Sequence, residues 1–299
     1  MLHYQRIDVF TSKPFGGNPL AVFLNVSDLT DEQMQQIAKE FNLSEVTFVF
    51  PPDKGDNHYK VRIFTPATEM PMAGHPTIGT AFALLREGMI SAPGTVRFEE
   101  PIGVIEVTLS QVGDFLLISM QQPNPEFGDV LDDREAVAAM LSLNPADLLE
   151  EQPVQVVSCG VPFLYVPVKS LKVIRRIRPR IDLWERLREE HQIPDGIFVF
   201  TMETELPGST VHARMFAPGL GISEDPATGA ASGPLGAYLV QNGLVKAGEV
   251  TSIISEQGIE MGRPSIIQIR IEREGDRIVD VDVGGRCVFM GTGMLQITN

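Results

Sequence analysis

Hydrophobic and polar residues alternate along much of the chain in short runs, which is the period of half-buried β-strands. Residues 31–41 break this pattern and predict an amphipathic helix that Ser27 or Thr30 can cap. Its apolar face is formed by Met34, Ile37, Ala38 and Phe41. The strand-like runs of the first 120 residues are 4–10, 19–24, 46–50, 60–65, 95–99, 103–109 and 114–120.

Two longer segments, 75–87 and 225–240, are apolar on almost every side of a helix. A helix of this kind is buried, so we expect each one to be enclosed by its own curved sheet. The two segments also begin alike, because HPTIGTA at 75–81 matches DPATGAA at 225–231, 150 residues later.

Three other short segments, used below as landmarks, are also repeated, in the same order along the chain as the two apolar segments. Residues 17–23, 45–50 and 62–66 match residues 160–166, 195–200 and 214–218, at offsets of 143, 150 and 152. This order indicates an internal duplication of a unit with many strands and one long helix, which is an α+β arrangement. The proline-rich turn at 122–125 marks the boundary. We predict an N-terminal domain of residues 1–122, joined by the strand-like end 286–299, and a C-terminal domain of residues 123–285.

Composition narrows the classes of function. The chain has 299 residues, 43% of them hydrophobic, and a formal net charge of −15. Nucleic-acid binding needs a basic surface, so this charge argues against it. No apolar run approaches the roughly 20 residues of a membrane helix, and no leader segment precedes the first strand. We therefore expect a cytoplasmic protein without membrane partners, in which Cys159 and Cys287 are reduced, buried thiols.

The starts of the two apolar helices carry the candidate chemistry. Asp225 precedes a proline and suits a helix N-cap, so a purely structural capping role is the alternative. His75 also precedes a proline, and the positive end of a helix holds an imidazole neutral, ready for proton transfer, although a packing role is the alternative. Gly74 and Gly229 have no side chain to cover the two helix N-termini, so that backbone N–H groups can bind an anion, most simply a carboxylate.

Glu45 is a third candidate because it begins the apolar run VTFVF. An apolar wall raises the pKa of a carboxyl group and makes it a proton carrier at neutral pH. A solvated glutamate at the end of a strand is the alternative.

Other chemistries lack their sequence patterns. The five histidines show no metal-ligand spacing with cysteines or carboxylates. No glycine-rich phosphate loop follows a strand, and no serine lies in a nucleophile elbow. We predict neither a metal nor an organic cofactor.

Four blocks of the sequence closely resemble the PhzF-like phenazine-biosynthesis family, in order and over nearly the whole chain. They are DVFTSKPFGGNPLAVF at 8–23, SEVTFVF at 44–50, RIFTPATEMPMAGHPTIGTA at 62–81 and EDPATGAASGPLGAYL at 224–239. The family is similar in fold to diaminopimelate epimerase and the proline racemases, which are independent of cofactors. The resemblance implies two pseudo-symmetric barrel-like domains, each wrapped around a central helix, with the site between them and usually a homodimer.

The resemblance also implies roles for individual residues. The best-understood member isomerises trans-2,3-dihydro-3-hydroxyanthranilate, a small carboxylate, with a glutamate that moves a proton between ring carbons. By this resemblance Glu45 is the acid/base, while His75 and Asp225 position the substrate and assist the transfer. Gly74 and Gly229 offer backbone N–H groups, and Asn18 in the GGNP turn is a further pocket residue.

One position departs from the family pattern. The phenazine enzymes resemble EDPATGSA, with a serine where this chain has Ala230, and Ser232 points to a different side of the helix. The residues of proton transfer, Glu45, His75 and Asp225, are all present, but the sequence does not determine the substrate. An amino-acid epimerase or racemase, or a binding protein on the same fold, remains as an alternative.

Overall fold

We describe the protein from a computed structural model that covers residues 1–26 and 29–297. The first nine strands are β1 (Leu2–Val9), β2 (Asn18–Phe23), β3 (Glu45–Phe50), β4 (Tyr59–Phe64), β5 (Glu69–Met70), β6 (Gly94–Glu100), β7 (Gly103–Val112), β8 (Phe115–Gln122) and β9 (Glu126–Val130). The others are β10 (Gln155–Ser158), β11 (Pro162–Pro167), β12 (Gly196–Thr201), β13 (Val211–Ala217), β14 (Ile222–Asp225), β15 (Val250–Gln257), β16 (Ser265–Glu274), β17 (Arg277–Gly285) and β18 (Cys287–Leu295). The α-helices are α1 (Asp31–Phe41), α2 (Gly74–Arg86), α3 (Arg134–Met140), α4 (Leu171–Arg175), α5 (Ile181–His191) and α6 (Gly229–Gln241).

The two apolar helices lie at the centres of the two halves, which confirms the predicted α+β fold. Helix α2 packs against strands of the first half, and α6 packs against β10, β11, β16 and β17. All of α6 except its last residue is buried, and α2 is buried over its first eight residues. Burial of helices that are apolar on every side stabilises this core through the hydrophobic effect.

Strand pairing repeats between the halves. In the first half, β2 pairs parallel with β3, β3 antiparallel with β4, and β4 parallel with β6. In the second half, β11, β12, β13 and β15 show the same sequence of parallel, antiparallel and parallel pairs. The duplication predicted from the landmarks is therefore present in the hydrogen-bonded ladders.

The register of these ladders corrects the predicted alignment of the two copies by one residue. Leu20 pairs with Glu45 in the first half, and the equivalent Phe163 pairs with Gly196 in the second. Gly196 is therefore the counterpart of Glu45, and Asp195 is the counterpart of Ser44. The sequence match had aligned Glu45 with Asp195 because the two segments share FVF at 48–50 and 198–200, but backbone hydrogen bonds determine which residues are equivalent.

The C-terminal strand-like run returns to the first half, as predicted, because β18 pairs antiparallel with β1. Strand β17 also pairs with β8, and β9 pairs with β10, so the ladders join the halves into one continuous sheet. The domain boundaries at residues 122 and 286 stay a prediction. None of the helices in the described ranges is long and apolar enough to cross a membrane.

Helix starts show how local sequence controls the ends of elements. Thr30 caps α1, since its hydroxyl accepts a hydrogen bond from the Gln33 N–H and the Gln33 side chain accepts one from the Thr30 N–H. Ser27, the other predicted cap, lies outside the described residues. The prediction that His75 and Asp225 are the first residues of their helices is wrong. Helix α2 begins at Gly74, and α6 begins at Gly229, after Asp225 has ended β14.

Candidate active site

The N-terminal ends of α2 and α6 meet at two glycines. A Cβ atom added to Gly74 would lie 2.6 Å from the Cα atom of Gly229, and one added to Gly229 would lie 2.9 Å from the Cα atom of Gly74. No side chain fits between backbones at this distance, so both positions require glycine. The first N–H groups of a helix have no partner inside the helix, and they carry its positive partial charge. Two such ends in contact form a site suited to an anion.

A cavity of about 240 Å³ opens beside these helix ends. Six of the seven residues predicted for the site line it: Glu45, Gly74, His75, Asp225, Gly229 and Ala230. The seventh, Asn18, is fully buried behind the cavity and contacts it through Asp225. The walls of the cavity are mainly apolar and include Met70, Met72, Phe163, Met215 and Ile222. The structure therefore brings together residues that are up to 207 positions apart in sequence.

The Asp225 carboxylate is held by three hydrogen-bond donors. Asn18 Nδ2 and Ser44 Oγ each donate to Oδ1 at 2.8 Å, and Thr228 Oγ1 donates to Oδ2 at 2.6 Å. Asp225 is therefore not the cap of α6 that its Asp-Pro sequence predicted. Burial raises the pKa of Asp225, whereas the three donors favour the ionised form and lower it.

A buried glutamine holds the turn between Asp225 and α6. Gln257 Nε2 donates to the Asp225 carbonyl oxygen at 2.7 Å and to Thr228 Oγ1 at 3.0 Å, while Gln257 Oε1 accepts from the Thr228 N–H at 3.2 Å. These contacts give the turn the hydrogen bonds that a helix would otherwise supply. They explain why the Asp-Pro pair lies ahead of the helix rather than inside its first turn.

Glu45 binds a proton more strongly than an ordinary glutamate does. Its pKa is raised well above the ordinary value, first by burial and second by the nearby negative charge of Asp225. The Glu45 Oε2 atom is buried and has no hydrogen-bond partner, whereas Asp225 has three donors. Burial and the charge of Asp225 therefore favour the protonated form of Glu45, whereas the three donors favour the ionised form of Asp225.

His75 lies next to Glu45 in the wall of the cavity. Its Nε2 atom lies 3.4 Å from Glu45 Oε2, and the side chain is only 3% exposed. Burial lowers the pKa of His75 to about 3, so the ring is neutral at physiological pH. The sequence predicted a neutral ring because of the helix dipole, whereas burial is the cause that the structure provides.

Ser44, Thr228 and Gln257 were missed by the sequence interpretation. Ser44 and Thr228 lie within the family-like blocks SEVTFVF and EDPATG, so their place beside Glu45 and Asp225 was an available signal. Gln257 had no such signal, because nothing in its local sequence shows that β15 ends behind the turn that precedes α6. The cavity also includes Arg188 and Asp195, which the sequence interpretation did not single out.

One cluster with metal-ligand geometry occurs among the described residues, and it lies away from the cavity. It consists of Glu205, His212 and Glu260. His212 is fully buried, with Nδ1 at 2.8 Å from Glu256 and Nε2 at 3.0 Å from Glu260. Burial opposes the charge on the ring, but the hydrogen bonds to Glu256 and Glu260 raise the pKa of His212 to about 9. A doubly hydrogen-bonded imidazolium explains this cluster, since a metal ligand must be deprotonated.

The two cysteines do not line the cavity. Cys159 is buried as predicted, whereas Cys287 is partly exposed, so the prediction of a buried thiol is wrong for Cys287. Burial raises the pKa of both thiols, that of Cys159 to about 12. Both thiols are therefore protonated and poor nucleophiles at neutral pH.

Comparison with known proteins supports the interpretation of the fold and the family. The chain is 36% identical to an uncharacterised isomerase of Clostridium acetobutylicum over 95% of both chains. It is 35% identical to the trans-2,3-dihydro-3-hydroxyanthranilate isomerase of Pseudomonas chlororaphis, over 99% of this chain and all of the relative. The crystal structure of a PhzF-family phenazine biosynthesis protein of Bacillus anthracis matches with a TM-score of 0.91, at 28% identity and 99% coverage of both chains.

A more distant likeness concerns the fold alone. A hydroxyproline epimerase of Agrobacterium vitis matches with a TM-score of 0.64 at 14% identity, over 98% of this chain and 91% of the epimerase. The predicted likeness to the epimerase fold is thereby confirmed. The family model described as phenazine biosynthesis-like protein matches residues 7–293. The chain belongs to this phenazine biosynthesis-like (PhzC-PhzF) family.

Proposed function

We propose that this isomerase moves a proton between two carbons of a small cyclic carboxylate, without a cofactor and with Glu45 as the acid/base. One observation carries the proposal. Glu45 is a buried carboxyl group with a raised pKa and without a hydrogen-bond partner on its Oε2 atom, and it lines a cavity beside Asp225. Such a group is suited to general acid–base catalysis because its pKa lies nearer to neutrality than that of a solvated glutamate.

The substrate carboxylate is anchored at the helix ends. Gly74 and Gly229 bring two helix N-termini into contact at the wall of the cavity, and both ends favour negative charge. The apolar walls formed by Met70, Met72 and Phe163 then enclose the ring of the substrate. This arrangement turns the reacting carbons towards Glu45.

Glu45 serves as acid and then as base in one turnover. It gives its proton to an unsaturated ring carbon, and the double bonds of the substrate shift. The Glu45 carboxylate then removes a proton from another carbon, so no net proton is gained or lost. The charge of Asp225 makes Glu45 more basic during the second step. Neutral His75, 3.4 Å from Glu45, orients the carboxyl group when the contact tightens around the substrate.

The difference between the two halves favours an isomerase over a two-base epimerase. An epimerase that inverts a carbon needs an acid/base group on each face of the substrate. The counterpart of Glu45 in the second half is Gly196, as the strand register shows. Glu45 therefore has no equivalent proton carrier at the matching position of the other half.

The substrate is trans-2,3-dihydro-3-hydroxyanthranilate or a related cyclic carboxylate. The named relative from Pseudomonas chlororaphis acts on this compound. Ala230 lines the cavity and cannot supply the hydroxyl of the family serine. Ser232 does not replace it, because Ser232 is fully buried and its hydroxyl donates to the Thr228 carbonyl oxygen at 2.9 Å.

The resemblance also supports a cytoplasmic homodimer, which we include in the proposal. Sedimentation velocity tests the dimer, and a species with the chain's own mass of 32.8 kDa at micromolar concentration would contradict it. Cell fractionation of the native host tests the location, and recovery outside the cytoplasmic fraction would contradict it.

The function is tested by incubating the protein with trans-2,3-dihydro-3-hydroxyanthranilate in heavy water and following the ring protons by NMR. We expect isomerisation with deuterium entering at a ring carbon, since a carboxyl proton exchanges with solvent between turnovers. A protein that only binds ligands exchanges no carbon-bound proton. Binding of the compound without exchange or isomerisation would contradict this substrate.

A further inference from the structure

A pair of opposite charges lies on the wall of the cavity that the second half contributes. Arg188 of α5 and Asp195, which directly precedes β12, both line the cavity. Arg188 Nη2 lies 3.0 Å from Asp195 Oδ1, and the two side chains are 49% and 35% exposed. They therefore stand at the solvent side of a cavity whose other charged or titratable lining residues are Glu45, His75 and Asp225.

The contact between these two residues leaves hydrogen-bonding capacity unused. The Asp195 Oδ1 atom is buried, yet it accepts no hydrogen bond of acceptable geometry, although Arg188 is within ion-pair distance. A buried acceptor without a donor is costly unless something else satisfies it. An exposed ion pair contributes little to stability, so a ligand can rearrange this contact at small cost.

The surroundings hold both side chains in place. A Cβ atom added to Gly219 would lie 2.2 Å from Asp195 Oδ1 and 3.0 Å from the Trp184 ring, so Asp195 is packed closely against this turn. The Arg188 guanidinium lies 5.3 Å from the centre of the Trp184 ring, and this cation–π contact restricts it. These contacts keep both groups at the cavity wall, while the ion pair between them stays open to replacement by a ligand.

The pseudo-symmetry gives an independent reason to assign Asp195 to the site. Asp195 is the counterpart of Ser44, as the strand register shows. Ser44 donates a hydrogen bond to Asp225 in the cavity wall. The same position of the duplicated unit therefore serves the site in both halves: the Ser44 hydroxyl binds the cavity-lining Asp225 in one, and the Asp195 carboxylate lines the cavity in the other.

We propose that Arg188 and Asp195 together recognise a second polar substituent of the substrate, one that both accepts and donates a hydrogen bond, as a ring hydroxyl does. The Arg188 N–H groups donate to the substituent oxygen, and the exposed part of the Asp195 carboxylate accepts its proton. The inference rests on the proposed function, because the helix ends bind the carboxylate and leave the substituent on another edge of the ring. Arg188 and Asp195 thus determine which ring carboxylates bind.

Binding of unreactive ring carboxylates tests the inference without reference to turnover. We would titrate the wild-type protein with benzoate and with 2-, 3- and 4-hydroxybenzoate by isothermal calorimetry. A hydroxyl that gains a charge-assisted hydrogen bond in a partly exposed site should improve affinity about tenfold. We expect one of the three hydroxybenzoates to show this preference over benzoate.

Two variants and one control assign the preference to the pair. We expect Arg188→Met and Asp195→Asn each to remove most of the tenfold preference, with a much smaller change in the affinity for benzoate. Arg186→Met is the matched control, because Arg186 lies on the same helix, is exposed and pairs with Glu190 outside the cavity. The control should keep the wild-type preference, and circular dichroism should show that all three variants are folded.

The outcomes separate this inference from the function on which it rests. Equal affinity of the wild-type protein for benzoate and all three hydroxybenzoates would overturn the role of the pair and leave the carboxylate anchor standing. A preference for one hydroxybenzoate over benzoate that survives in both Arg188→Met and Asp195→Asn would also overturn the role of the pair and leave the carboxylate anchor standing. Failure of every carboxylate to bind would contradict the anchor at the helix ends, and the role of the pair with it.

Discussion

Glu45→Gln abolishes isomerase turnover while the protein stays folded and binds ring carboxylates as before. We expect kcat to fall by roughly 10³-fold or more, within the range for loss of a general acid–base group. Glutamine has nearly the shape of a protonated glutamate but cannot give up or take a proton at carbon. The measurement is the rate of isomerisation and of deuterium incorporation in heavy water, with ligand affinity measured in parallel.

Stability separates this effect from unfolding. Burial and the charge of Asp225 raise the pKa of Glu45 in the folded protein, so the wild-type protein loses stability as the pH rises above the ordinary pKa of a glutamate. An uncharged amide removes this loss, and the unfolding free energy of Glu45→Gln should equal or exceed the wild-type value at neutral and alkaline pH. Glu40→Gln is the matched control, because Glu40 is exposed on α1, and it should keep full activity. A Glu45→Gln protein with more than a tenth of the wild-type kcat would rule out the proposed acid/base.

Gly74→Ala separates the two helix ends and weakens both stability and catalysis. The new Cβ atom would lie 2.6 Å from Gly229 Cα and 2.7 Å from the Ala230 nitrogen, which are backbone atoms that no rotamer change can move. Overpacking of this kind costs about 1–3 kcal/mol of unfolding free energy. A displacement of about 1 Å between the anchored carboxylate and Glu45 can reduce kcat/KM by about 10²-fold. Urea unfolding and steady-state kinetics measure the two effects.

Gly55→Ala provides the control for this substitution. A Cβ atom added at Gly55 meets no atom within 4 Å, so we expect its unfolding free energy and kcat/KM to stay near the wild-type values, within about 0.5 kcal/mol. If Gly74→Ala behaved like Gly55→Ala in both measurements, the two helix N-termini could not be in the contact described above.

The sequence predicted the fold because the repeated features are local. The apolar helices, with their matching starts, and the three other segments that recur in the same order can be recognised without knowing any contact. The equivalence of Glu45 and Gly196 could not be recognised, since a slip of one residue aligned two acidic residues and only backbone pairing corrects it. The predictions of the first helix residues were wrong for a related reason. Asp225-Pro226 has the composition of a cap, but Gln257 from β15 holds it in an extended turn.

The chemistry of the site was predicted in part. Glu45, His75 and Asp225 stood out through their residue types and their family-like blocks, and they do converge on one cavity. Their protonation states depend on contacts between distant parts of the chain, such as the hydrogen bond from Asn18 to Asp225 across 207 residues. Arg188 had no local signal, because an arginine on an amphipathic helix normally belongs to a solvated face. Asp195 was matched to Glu45 by the duplication but was not assigned to the site.

The protonation state of Glu45 at neutral pH is the most direct measurement of the site. Infrared difference spectra between the wild-type protein and Glu45→Gln report the carboxyl stretch of this one residue across a pH series. We expect a protonated Glu45 at neutral pH in the wild-type protein, and we expect its pKa to be lower in Asp225→Asn, because the charge of Asp225 helps to raise it. A Glu45 that is ionised at neutral pH in the wild-type protein, or whose pKa is the same in Asp225→Asn, would contradict a proton held on Glu45 by burial and by the charge of Asp225.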